Sequence, residues 1–237
     1  MQKFIFVLLL TVSILANASQ VDEWLDGLDH PLHRSLTLKP KNLLQKYISY
    51  DISSLLIPRS EFLGYIGNNY QRLHIHFKSV SRSPTNQEQY LIIGESIVGD
   101  HVTEFNGEIT VTSVREYVKM HFGLDDELKT AGIQSEGLII GHFKFQEQST
   151  QSSSGRFQGI VTLYWYKDKA GNVQYDDIAA GYSDNYSNNQ YVGTWKAYRT
   201  GKEKTANWGE QRIPFSGDLD IGAAQFSPAP QFKKQGW

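Results

Sequence analysis

The chain has 237 residues, with 23 Lys and Arg against 25 Asp and Glu, a formal net charge of −2, and no cysteine. So small a charge argues against a nucleic-acid or polyanion binder, which needs a basic surplus to displace phosphate counterions. Zero Cys excludes a disulfide scaffold, a thiolate zinc site, a cysteine nucleophile and acylation on cysteine.

Residues 1–18 carry a leader pattern. Lys3 precedes a continuous apolar run from Phe4 to Leu10, and Ala16-Asn17-Ala18 puts small residues at both positions that a signal peptidase reads. Charged start, short apolar core and A-x-A end predict export, to the periplasm or the medium. The run is short for a bilayer span and lacks a positive flank after it, so the mature chain is expected not to span a membrane. An exported protein without thiols suits a bacterial envelope.

Residues 19–60 read as a helical segment. Val21, Trp24, Leu25 and Leu28 recur at helical spacing, and Leu43, Leu44, Tyr47 and Ile48 form a second stripe that Ile52, Leu55, Leu56 and Ile57 continue up to Pro58. These helices are expected to pack across one end of a sheet. From about Phe62 the period changes to 2. Strands are predicted at 70–80, 90–98, 109–118, 138–147, 157–167, 173–180, 191–198 and in a last group between 207 and 226. Asp168-Lys169-Ala170-Gly171-Asn172 reads as a hairpin loop, and Asp125–Ala131 as a short helix.

An aromatic-x-Gly triplet recurs at Phe105-Asn106-Gly107, Phe157-Gln158-Gly159 and Tyr191-Val192-Gly193, with Phe62-Leu63-Gly64 as a fourth copy. Glycine lets a strand bend, and the ring two residues earlier is expected to cover the gap. Bending of this kind closes sheets. The expected fold is therefore all-β and mainly antiparallel: a closed or nearly closed meander barrel of about 8–10 strands over residues 61–237, with calycin or lipocalin-like architecture.

Gly193-Thr194-Trp195 is similar to the Gly-x-Trp of lipocalins, although it stands late in the chain and theirs lies in the first strand. Tyr191-x-Gly193-x-Trp195 resembles a single MORN-type unit without the tandem repeat. Each likeness covers a handful of residues.

Candidate chemistry is sparse. His74 and His76 share one strand face, a geometry that can chelate zinc. Arg72 and Lys78 lie on that face too, and cations repel a metal, so no metal site is expected. His142 shares a face with Lys144 and reads as exposed. There is no Gly-x-Ser-x-Gly elbow, and Ser152-Ser153-Ser154-Gly155 reads as a loop tip. Asp176 and Asp177 would project to opposite faces of a strand. Asp218 and Asp220 would share a face if extended, and Asp218-Leu219-Asp220-Ile221-Gly222 lacks the later ligands of a calcium loop.

Residues 207–222 are the densest unusual segment, with Trp208, Glu210, Arg212, Phe215 and two Asp among glycines. They read as a strand that closes the barrel, with Arg212 paired to an Asp, or as the mouth of a ligand site.

The leading expectation is an exported, non-catalytic barrel that binds a small apolar or amphiphilic ligand through Trp165, Tyr191, Trp195, Trp208 and Arg212, with no cofactor. The first alternative is an interaction module that meets a protein partner on a second aromatic face. The second is a carbohydrate-active hydrolase using Glu210, Asp218 or Asp220.

Overall fold

A computed structural model describes residues 20–30, 37–120, 122, 129, 132–149, 153–177 and 186–237. The leader at 1–18 lies outside them, as does the helix expected at Asp125–Ala131 apart from Lys129. Among the described residues no helix is long and apolar enough to cross a membrane.

The protein is mainly antiparallel β. A helix α1 over 20–29 and two single-turn helices, α2 (Leu44–Tyr47) and α3 (Ser53–Leu56), precede ten strands. These are β1 (Phe62–Ile66), β2 (Gln71–Arg72), β3 (His74–Arg82), β4 (Gln89–Val98), β5 (His101–Glu116), β6 (Ser135–Glu147), β7 (Gly155–Lys167), β8 (Val173–Tyr175), β9 (Asn188–Ala197) and β10 (Glu203–Glu210). One curled sheet holds them in the order β2-β1-β10-β9-β7-β6-β5-β4-β3, with β8 on the end of β7. The two ends of that order are one stretch of chain. β2 pairs with β1, runs on through Leu73, whose N–H donates to Gly64 O at 2.9 Å, and becomes β3, which pairs with β4.

Period-2 alternation decides what fills the concave face. Ile75, Tyr90, Ile92, Phe105, Ile109, Phe143, Phe145, Phe157, Val161, Trp165, Tyr191 and Trp208 are all fully buried there. Phe105 stacks on Phe145 with ring centres 5.0 Å apart, and Tyr191 stacks on Trp208 at 4.8 Å. Phe77 meets Phe62, Phe145 and Tyr191 edge-on at 5.4–6.0 Å, so rings of distant strands meet across the interior. Edge and offset contacts of this kind add to the burial of apolar area.

Two triplet glycines, Gly64 and Gly107, lie opposite Trp208 and Phe145, and Gly94 likewise lies opposite Phe105, so there the cross-strand partner and not the aromatic two residues earlier stands over the missing side chain. Gly159 and Gly193 instead make room for backbone. Gly159 and Gly193 face each other across β7 and β9, and a Cβ on Gly159 would stand 2.6 Å from the Gly193 Cα.

The hairpin at 168–172 forms as expected. Gly171 takes a positive φ of 88°, and Asp168 Oδ1 accepts the Asn172 N–H at 2.9 Å. Other elements differ from expectation. β5 begins at His101, so Phe105 and Gly107 lie inside it. The last strand is Glu203–Glu210, and Gly217–Leu219 is a 3-10 turn, so Asp218 and Asp220 are not on one extended face. The long helical stripe at 43–57 breaks into α2 and α3, since Asp51 Oδ1 accepts the Ser53 N–H and restarts the turn.

Candidate functional site

The two ends of the curled sheet differ. α2 and α3 fill one. Leu43 N–H donates to Val114 O, Tyr47 packs on Trp165 at 4.7 Å, and Ile52 N–H donates to the Tyr90 hydroxyl. Leu55 and Leu56 complete the plug. Glu116 ties it down, accepting from Lys46 Nζ and Tyr47 OH at 2.7 Å and from Lys39 Nζ at 3.0 Å. Burial alone would raise the Glu116 carboxyl, but these three bonds outweigh it and hold it at about 2. The void left at this end is only about 20 Å³.

The opposite end opens into a cavity of about 390 Å³. Its wall comes from strand ends: Ile66 of β1, Ser96 and Val98 of β4, Thr103 of β5, Glu147 of β6, Phe157 of β7 and Trp195 of β9. Exposed His101, Arg199 and Lys202, with half-buried Lys204, stand at its rim. Apolar side chains therefore share the wall with Ser96, Thr103 and Glu147, and Arg199, Lys202 and Lys204 bring positive charge to the rim.

One buried carboxylate organises the wall. Glu147 Oε2 accepts the indole N–H of Trp195 at 2.9 Å and the Gly155 N–H at 2.7 Å, while the Ser96 hydroxyl donates to Oε1. Lys204 Nζ stands over the Trp195 ring, 5.6 Å from its centre. The aromatic wall is thus fixed on both faces of its chemistry, edge by hydrogen bond and plane by cation.

Of the five residues singled out from sequence, Trp195 lines this cavity. Tyr191 and Trp208 lie in the packed interior, and Trp165 lies under α2. Arg212 sits outside the sheet interior, where its Nη1 pairs with Asp220 Oδ2 at 2.6 Å and also reaches Gly222 O. Asp220 Oδ1 accepts the Gly222 and Ser227 N–H groups, which shapes the loop. Glu210 is buried, accepting from Ser60 N–H at 2.8 Å and from the Tyr175 hydroxyl. Asp176 and Asp177 follow β8 and are not within a strand.

Sequence reading missed Glu147, Ser96 and the rim cations. Glu147 ends a strand on the buried parity, after Phe143 and Phe145. That parity was the available signal: a carboxylate at an inward position must be hydrogen-bonded.

Part of the outer face is covered by the chain itself, while Tyr198, Leu91, Ile93 and Val102 stay exposed. Trp24 of α1 donates to Thr162 Oγ1 at 3.3 Å and meets Phe215 at 5.9 Å. Ile213, Leu219, Phe226, Phe232 and Trp237 pack around Tyr65 and Tyr70, and Trp237 Nε1 donates to Tyr70 O at 2.7 Å. α1 therefore lies on the outer face and not across an end.

No protein-family model matches the chain, and no curated protein or solved structure does either.

Proposed function

We propose that the protein is an exported, non-catalytic binding protein that takes a small amphiphilic ligand with an anionic head group into the 390 Å³ cavity. The ligand's apolar body lies against Ile66, Val98, Phe157 and Trp195. Its head group meets His101, Arg199, Lys202 and Lys204. The observation that carries this reading is a wall of apolar and aromatic side chains, with Ser96, Thr103 and the hydrogen-bonded Glu147 set among them, under a rim bearing Arg199, Lys202 and Lys204, in a space of the size that holds small ligands. On this view the sheet acts as a nearly closed barrel of lipocalin-like architecture, with β2 and β3 as one strand through Leu73. One end is plugged by α2 and α3, and the other receives the ligand.

The two alternatives have less support. α1 and the C-terminal segment occupy the outer face around Thr162, Tyr65 and Tyr70, which leaves a partner only the scattered exposed residues such as Tyr198, Leu91 and Ile93. The carboxylates Glu210 and Asp220 are committed to Tyr175, Ser60 and Arg212.

Titration with decanoate, followed by tryptophan fluorescence, tests the proposal. Saturable one-to-one binding is expected, with decylamine much weaker. The Lys202→Glu, Lys204→Glu double variant should lose about tenfold in affinity at low salt. Absence of saturable binding by decanoate, or equal binding by decylamine, overturns it.

A further inference from the structure

A second cluster lies outside the cavity, on the outer face where β1 meets β3. Strand alternation sends His74 and His76 to that face, with ring centres 6.3 Å apart. Glu61, the residue before β1, is carried beside them by the β1–β2 hairpin. Its Oε1 stands 2.7 Å from His74 Nδ1. One ligand atom from each of the three lies within 4.8 Å of the other two.

We propose that Glu61, His74 and His76 form a surface site for a divalent transition-metal ion of the zinc type. Two imidazoles and a carboxylate are a donor set that zinc accepts, with water completing the coordination. Bonds of about 2.0–2.2 Å place neighbouring donors roughly 3–3.5 Å apart. The present separations therefore need only small rotations of half-exposed side chains. Glu95 lies directly opposite His76 in the β3–β4 register, with Oε1 3.4 Å from His76 Nδ1. A carboxylate behind one ring nitrogen orients the imidazole and leaves Nε2 free for a metal.

The cations that argue against a metal in the sequence are already engaged. Lys78 Nζ is held by Glu95 Oε2 at 2.7 Å and Glu104 Oε1 at 3.0 Å. Arg72 donates to Gly236 O and stacks over Trp237 at 5.3 Å. Glu61 and Glu95 thus stand against the two histidines, while the cations of this face, Lys78 and Arg72, are turned to other partners.

Calorimetric titration of the untagged protein with zinc chloride tests the site. One ion should bind per chain, and magnesium and calcium should not compete, since imidazole donors suit neither. His74→Ala and His76→Ala should each abolish binding, and Glu95→Gln should weaken it about tenfold through loss of the backing carboxylate. His142→Ala, an exposed histidine on β6, should leave it unchanged. Circular dichroism of each variant confirms that the sheet is intact, and Glu61→Gln, in a residue before the sheet, reads the same site with no strand residue altered. The proposal is overturned if zinc fails to bind at one-to-one stoichiometry, or if binding survives in the His74→Ala, His76→Ala double variant.

Discussion

Trp195 donates its indole N–H to Glu147 Oε2 at 2.9 Å, a bond between the ends of two strands 48 positions apart in the chain. It converts a buried acid into the anchor of an aromatic wall. Glu147→Ala leaves the Trp195 indole N–H and the Gly155 N–H without their acceptor, and should destabilise the protein by about 2–4 kcal/mol. Glu147→Gln keeps the shape but turns an amide N–H₂ toward donors, and should cost less. Urea unfolding measures both, and a shifted tryptophan emission should accompany them. Wild-type stability in Glu147→Ala would show that the bond holds nothing.

Gly193 faces Gly159, and a Cβ at Gly193 would stand 2.9 Å from the Gly159 Cα and closer still to Gln158 O. The obstacle is backbone, which cannot swing away. Gly193→Ala should therefore lower stability by about 1–3 kcal/mol. Gly27 in α1 has no atom within 4 Å of such a Cβ. Gly27→Ala should be neutral, or stabilising by up to about 1 kcal/mol through helix propensity. Thermal melts of the pair separate close approach from a general intolerance of alanine.

The Tyr191 hydroxyl is fully buried and has no hydrogen-bond partner among the described residues, as is true of Trp208 Nε1. Burial pushes the Tyr191 phenol well above its ordinary range. An unpaired buried hydroxyl costs about 1–3 kcal/mol. Tyr191→Phe removes that cost and keeps the ring stacked on Trp208, so the variant should be as stable as the parent or more so. A clear loss of stability would reveal a partner for the hydroxyl.

Acid should withdraw the stabilisation that Glu116 gives the plugged end. The Glu116 carboxyl lies at about 2 when folded, against an ordinary 4.5. The unfolded chain therefore takes up the proton first as the medium is acidified. The stabilisation is fully present above about pH 5 and is lost as pH falls through about 2. Lys39 and Lys46 are half exposed, so screening reduces its size to about 1–2 kcal/mol. Urea midpoints of wild type and Glu116→Gln should differ near neutrality and converge in acid. A difference that stays constant over that window would remove Glu116 from the acid response.

Much of the fold was legible in the residues. Alternation of Leu, Ile, Val and aromatic residues marked the strands from β3 to β9, and the Asp168 to Asn172 loop marked its hairpin. β1 was legible only as the Phe62-Leu63-Gly64 triplet, being five residues long. Of the site, Trp195 was legible as part of an aromatic strand. Glu147 looked like the last polar residue of a strand, and Lys202 and Lys204 looked like ordinary surface charge. Their roles depend on strand ends that meet only in space.

By itself the sequence determined the β class, the inward and outward faces, and a core that must rest on apolar and aromatic residues in the absence of any disulfide. Side-chain parity is local, so two neighbouring residues suffice to define it. Tertiary structure alone decided the rest: which ring covers which glycine, which end is plugged, and that Glu61 reaches His74. Those follow from register and strand offset, which are set by the whole sheet packing at once.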